Sequence, residues 1–232
     1  MEGNLVLLSA GLDSVVNFLM AMEKGGVGAA ITVYYGQKAG RREVEKAREL
    51  CDHYGVKHMV LEALWLGEVS GDALTTKERG IPHVDEGQLG ERSLMEASAR
   101  QVWVPNRNGL LANMGACVAE ALGLPWVVMG LNAEEAATFP DNSPGFVKRI
   151  NRAFSRSTLS GVRLRSFTIK WNKVDIFREA MARELDFRFI WSCYNGEELM
   201  CGSCEACARL ASAARLAGAS HRLEGFFEKS ET

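Results

Sequence analysis

Four cysteines crowd into fifteen residues near the C-terminal end of the chain: Cys193, Cys201, Cys204 and Cys207, spaced C-x7-C-x2-C-x2-C. Thiolates two residues apart can reach one tetrahedral ion, and Gly202 permits the tight turn between them. Four thiolates without a histidine close a coordination sphere, which favours a structural zinc (Zn2+) over a catalytic one. C-x2-C-x2-C spacing also occurs at iron–sulfur clusters, so an iron–sulfur site is the rival reading. At the other end of the chain, Leu7-Leu8-Ser9-Ala10-Gly11-Leu12-Asp13-Ser14 runs from an apolar stretch into a helical one. Free N–H groups at such a helix start bind anions, and two serine hydroxyls can add donors. Gly11 would let backbone approach a phosphate, and Ala10 fits without strain only if its φ is negative. The turn is neither a GxxxxGK[ST] nor a GxGxxG loop. Its plainer reading is a strand-to-helix turn in which Asp13 and Ser14 cap the helix.

These residues need elements to hold them, and the sequence supplies an alternation. Leu5–Leu8 reads as a buried strand, Asp13–Lys24 as a helix and Ala29–Tyr35 as a second strand. Helical spacing runs from Arg41 to Tyr54, closed by Gly55, and Lys57–Leu61 gives a third strand. Asn113–Leu122 is helical, Trp126–Met129 a fourth strand and Val162–Thr168 a fifth. Helices follow at Phe146–Phe154, Val174–Leu185 and, behind the cysteines, Ala208–Leu216. Such a pattern implies an α/β fold: a Rossmann-like parallel sheet with helices on both faces, the turn after the first strand lying where ligands bind. A single domain over residues 1–232 is expected, with a small metal-binding subregion at about 190–217. Residues 64–104 have weak periodicity and suit a lid with short helices or a partly disordered loop. Only Lys229–Thr232 read as a frayed tail.

Composition narrows the function classes. In 232 residues, 27 basic and 29 acidic side chains give a formal charge of −2, without the basic excess of a nucleic-acid-binding domain. Arg41, Arg42 and Lys46 read as a solvated helix face. No signal peptide or membrane-length apolar run is visible, which suggests a cytoplasmic protein. In a reducing compartment, clustered cysteines suggest metal rather than disulfides. Cys51 and Cys117 read as core residues, and His53, His58, His83 and His221 as surface or hydrogen-bonded histidines without ligand spacing.

Ser9, Gly11, Asp13 and Ser14 resemble the SGGxDS motif of PP-loop ATP pyrophosphatases, which adenylate a substrate and release pyrophosphate; Ala10 stands where glycine is usual. Trp191-Ser192-Cys193-Tyr194 with Cys201-Gly202-Ser203-Cys204 and Cys207 resembles the TWSCY…CGxCxxCxxR signature of the 7-cyano-7-deazaguanine synthases. Tyr35-Gly36-Gln37, Pro105-Asn106-Arg107-Asn108, Phe139-Pro140-Asp141 and Lys173 resemble further segments of that family, in order, from about Asn4 to Arg209. The resemblance implies a C–N-bond-forming ligase for queuosine biosynthesis that uses ATP, Mg2+ and ammonia to turn 7-carboxy-7-deazaguanine into its nitrile by way of the amide. It implies nucleotide binding over Leu8, Ser9, Ala10, Gly11, Leu12, Asp13, Ser14, Val15, Val16, Asn17 and Phe18. Asp13 and Lys173 are implied as catalytic, with Tyr35, Gln37, Arg107, Asn108 and Asp141 on the substrate. It also implies Zn2+ on the four cysteines, a homodimer, and no membrane or nucleic-acid partner. Departures cluster at Glu135, Phe139, Asn142 and Ile190, and Arg209 is displaced from the family's arginine. They leave open a relative that activates another carboxylate or amine. A tRNA-thiolating PP-loop enzyme with an iron–sulfur cluster is a further alternative, and so is a non-catalytic nucleotide-binding or zinc-scaffold protein.

Overall fold

A computed structural model describes residues 3–228. Five strands, β1 (Asn4–Leu7), β2 (Val27–Tyr34), β3 (His58–Glu62), β4 (Trp126–Val128) and β5 (Arg163–Arg165), pair in parallel in the order β3-β2-β1-β4-β5. Residue alternation along β1 explains the two-sided core, because side chains of a strand point to opposite faces in turn. Val6 and Leu8 enter one apolar layer with α1 (Leu12–Glu23) and α2 (Gly40–Tyr54), whereas Leu5 and Leu7 enter the other. Both layers are buried, so Leu5–Leu8 form an unbroken apolar run.

Three further helices complete the core around the sheet. α5 (Arg107–Ala121) and α6 (Pro144–Ser157) cover the Leu5 face, while α7 (Lys173–Ala182) joins α1 and α2 on the other. α8 (Glu205–Leu216) packs into that same layer through Cys207, Leu210, Ala213 and Ala214, so the cysteine segment is not an appendage hanging from the sheet. The interval 64–104 holds α3 (Trp65–Ser70) and α4 (Arg92–Gln101) rather than an irregular loop.

Several boundaries differ from the sequence reading for identifiable reasons. α5 begins six residues early, at Arg107, because Asn106 adopts the left-handed conformation (φ 53°) and turns the chain into the helix. Asn tolerates that conformation better than other residues with a side chain. β5 stops at Arg165, where the Ser166 and Thr168 hydroxyls leave the ladder to bond Leu131 O, each at 2.8 Å. α8 begins at Glu205 and so contains Cys207. Cys51 is a core residue, but Cys117 is exposed. It lies one residue beyond the buried Ala116, about 100° round the helix from the core-facing stripe. The expected frayed tail, Lys229–Thr232, lies outside the described residues.

Candidate active site and metal centre

The strand order reverses direction at β1, whose neighbours β2 and β4 lead to opposite edges of the sheet. Beyond the carboxyl ends of β1 and β4 lies a cavity of about 230 Å³, the position at which open α/β sheets bind ligands. Gly130, just past β4, is pressed against the first turn of α1. A Cβ there would stand 2.6 Å from Ser14 N, so only glycine permits the approach.

Ser9, Gly11, Leu12, Asp13 and Ser14 line this cavity. Helix geometry leaves the first N–H groups of α1 without intrahelical partners. Ser14 Oγ donates to Gly11 O at 2.9 Å and accepts from Ser9 N at 3.3 Å, so this hydroxyl shapes the loop. The conformational demand falls on Ala10, at the position where the SGGxDS motif has glycine, so the condition of a negative φ is not met. Ala10 has φ 58°, whereas Gly11 is extended at φ −63°. Ala10 is fully buried, and its carbonyl accepts from Trp191 N at 2.9 Å. Although they belong to the stretch expected to bind nucleotide, Val15, Val16 and Phe18 are wholly buried in the core and do not line the cavity. Asn17 also faces away from it: its amide donates to Asp13 O and Thr168 Oγ1 and accepts from Phe167 N, tying α1 to the segment after β5.

Asp13 does not cap its helix. Lys173, the first residue of α7, reaches across the cavity to Asp13 Oδ2 at 2.5 Å and Glu135 Oε1 at 3.0 Å. Burial pushes the Asp13 carboxyl up to about 6 against the pull of Lys173, and Glu135 adds to the rise. Burial also opposes the Lys173 charge, but the two carboxylates outweigh it and hold the ammonium above its usual range. Glu135 is lowered, because Lys173 overcomes the burial that would raise it. Two acids thus share one cation, and Asp13 Oδ1 is buried with no hydrogen-bond partner. Such an oxygen at the turn between β1 and α1 suits a hard cation, for which oxygen is the preferred ligand.

A second cluster forms the far wall. Arg107 donates to Tyr35 Oη at 3.3 Å, and both line the cavity with Asn108. Asn108 Nδ2 contacts Asp141 O at 3.5 Å, whereas the Asp141 side chain stands outside the lining and Asn142 is part of it. Burial raises the Asp141 carboxyl despite the nearby Arg107. Gln37 is not in the cavity either. It accepts from Tyr35 N and donates to Val33 O and Glu43 Oε2, clipping the turn between β2 and α2 and fixing Glu43 at the wall. Phe139 lines the cavity and stacks on Trp103 with centroids 5.9 Å apart and rings 7° from parallel.

The four cysteines converge as their spacing implies. Their Sγ atoms all lie within 4.8 Å of one another, with Cys193–Cys201 at 3.5 Å and Cys201–Cys207 at 4.0 Å. Thiolates about 2.3 Å from one tetrahedral ion would be about 3.8 Å apart, so the set fits a single ion. A four-iron cluster, in which each thiolate takes a different iron, would spread the sulfurs more widely. N–H groups of Asn195 and Cys201 point at Cys193 Sγ at 3.3 and 3.4 Å, contacts that favour a thiolate. Gly202, at φ 70°, makes the turn.

The sequence reading did not single out the charged relay between metal centre and turn. Arg209 is 8% exposed; its Nε and Nη2 donate to Glu205 Oε1 at 3.0 and 2.8 Å, and its Nη1 pairs with Glu134. Glu134 Oε2 in turn accepts from Lys173 N at 3.0 Å. Glu205 also accepts from Ser98 Oγ on α4 at 2.7 Å, and Val84 N bonds Ser203 O, so the interval 64–104 is fastened to the metal segment. The one available signal was the juxtaposition of Glu134 and Glu135 near the β4 end of the cavity.

Comparison with known proteins places this arrangement in a family. The family model described as "Queuosine biosynthesis protein QueC" matches residues 3–218. Among similar curated proteins, 7-cyano-7-deazaguanine synthase of Methanosarcina barkeri is 41% identical, over 92% of this chain and 94% of its own length. The protein of the same name from Pelotomaculum thermopropionicum is 45% identical, over 93% and 97% respectively. A U34-tRNA thiolase, NcsA from Methanococcus maripaludis, solved with its [4Fe-4S] cluster, shares the fold. It aligns with a TM-score of 0.51 at 17% identity, over 99% of this chain and 74% of its own. With an extensive sequence match and an organised cavity behind it, the chain belongs to the QueC family of queuosine biosynthesis enzymes.

Proposed function

We propose that the chain is an ATP-dependent 7-cyano-7-deazaguanine synthase, a ligase that joins ammonia to 7-carboxy-7-deazaguanine and carries the product on to the nitrile. Support comes from its curated relatives, which bear that name over nearly their full length. The observation that carries the chemistry is the Asp13–Lys173–Glu135 cluster, with one Asp13 oxygen unpartnered, at the turn that opens α1. A carboxylate is a poor electrophile until its oxygen can leave: one ATP would make that oxygen a leaving group for ammonia, and a second would activate the amide oxygen for its loss to the nitrile. The residues then position and neutralise charge. The first N–H groups of α1 and the Ser9 hydroxyl would hold phosphate oxygens, and Asp13 would hold Mg2+. Lys173 would exchange a carboxylate partner for the developing pyrophosphate charge. Arg107, Asn108 and Tyr35 would orient the deazapurine on the opposite wall. Zn2+ on Cys193, Cys201, Cys204 and Cys207 would organise the segment that closes the cavity rather than touch the reacting atoms. The close sulfur packing weighs against an iron–sulfur sulfur-transfer enzyme.

A mass-spectrometric assay with ATP, magnesium, ammonium and 7-carboxy-7-deazaguanine tests the proposal. Appearance of the nitrile with AMP supports it. AMP without nitrile would redirect the search to another carboxylate or amine, and no ATP turnover would overturn the catalytic reading.

A further inference from the structure

Charge in this chain is segregated in a way its net value conceals. Residues 142–174 contain eight of the 27 Lys and Arg residues and none of the 29 Asp and Glu. Removing those eight from a net of −2 leaves −10 for the remaining chain. Lys173 belongs to the active site, but most of the others reach the surface on one side of the molecule. α6 buries Phe154 and packs Phe146, Val147 and Ile150 against the core, turning Lys148, Arg149, Arg152 and Arg156 to solvent. β5 adds the exposed Arg163. Between α6 and β5 runs a surface groove of about 430 Å³ whose lining includes Lys148, Arg152, Arg163, Asn151 and Ser155. Among the described residues, none of these five exposed cations is paired with a carboxylate. The carboxylate of Glu120, at the rim, is taken by the Ser160 N–H and hydroxyl.

We propose that this groove binds the phosphodiester backbone of a nucleic acid strand. Unpaired like charges on one helix face repel one another, and a polyanion laid along them relieves that repulsion. Lys148, Arg152 and Arg156 recur every four residues along one edge of α6, about 6 Å apart by helix rise. That repeat is comparable to the distance between neighbouring phosphates on an extended strand. Arg163 approaches from the β5 side, so cations flank the groove on both margins. An acidic protein would be expected to meet aromatic anchors and a desolvated centre. Trp126, paired with Arg163 in the β4–β5 ladder, already carries the guanidiniums of Arg163 and Arg165 near its ring, at 5.2 and 4.4 Å from the centroid. Recognition is therefore confined to phosphates and carries no base preference. The groove lies on the α6 side of the sheet, so a strand there need not enter the cavity at Asp13.

Fluorescence anisotropy of labelled RNA and DNA 20-mers with the full chain tests this. At 50 mM salt both should bind, irrespective of base sequence. Affinity should fall with a log–log salt slope of about −2 to −3, as expected for three or four phosphates on a single strand. Arg152→Glu with Arg156→Glu should weaken binding at least about tenfold while leaving ATP turnover intact. Arg41→Glu, on the opposite face of the sheet, should leave binding unchanged. The proposal is overturned by absence of binding at 50 mM salt, by equal binding of the double variant, or by displacement with MgATP, which would put the strand at the phosphate turn. Polyglutamate competing as well as polyuridylate would equally overturn it in favour of an acidic protein. None of these readings depends on formation of the nitrile, so the two proposals fail separately.

Discussion

Asp13 is where local chemistry can be tested most directly. Burial raises its carboxyl well above the ordinary carboxylate range, to about 6 in the folded chain. A raised carboxyl binds more protons in the native than in the unfolded state across that window. The free protein should therefore lose stability as pH climbs from about 4 to 6, and Asp13→Asn should flatten that slope in chemical denaturation. Function should run the opposite way, because a cation needs the ionised form. kcat/KM should rise through an apparent pKa near 6, and saturating magnesium should shift that limb to lower pH. A pH-independent rate would remove Asp13 from the mechanism. Lys173→Met should lower kcat by about 10²–10³-fold, the scale of losing one charge-stabilising donor. Ala10 makes a conformational test. The left-handed region costs an ordinary residue about 1–2 kcal/mol, whereas a glycine costs about 0.5–1 kcal/mol in unfolded-state entropy. Ala10→Gly should be neutral or stabilise by up to about 1 kcal/mol in urea denaturation. A clear loss would mean that the buried methyl group contributes more than the strain costs.

Among the elements, α8 ties the metal centre to the chemistry. Arg209 on this helix satisfies Glu205 and Glu134, and Glu134 holds the N–H of Lys173. Arg209→Met would strand a nearly buried carboxylate, which typically costs about 3–5 kcal/mol, and should lower thermal stability and activity together. Loss of activity without loss of stability would point to a direct contact with substrate instead. Removing the metal should unfold the segment around Cys193–Cys207 and α8 while leaving much of the sheet signal in circular dichroism, because structural sites supply folding energy. An apo-protein that stayed folded but inactive would argue for a catalytic ion. These couplings were poorly legible in the sequence. Cysteine spacing has a fixed geometric meaning, so the convergence of the four thiols could be read directly. The Glu134–Arg209 pair bridges 75 residues and leaves no periodic trace. Gln37 and Asn17 were misleading for a related reason: a motif residue can serve the loop's backbone as well as the ligand.

For the whole molecule, the alternation of apolar strands and amphipathic helices was enough to give the parallel sheet, because burial on both faces imposes unbroken apolar runs. The interval 64–104 was harder to read. Its helices are short, and its links to the cysteine segment, among them Ser98 on Glu205 and Val84 on Ser203, reach residues about a hundred positions away. Net charge hides a different feature, since an average over the chain erases the separation between the α6 face and the acidic remainder. The site itself is stitched from distant parts of the chain: Trp191 N holds Ala10 O, and Lys173 holds Asp13. All five strands have been laid down by Arg165, yet the cavity wall at Trp191–Tyr194 and the relay through Arg209 come later. On the ribosome, a nascent chain can assemble its sheet well before it can hold a substrate. A chain cut after residue 190 should thus be an inert product that consumes no ATP.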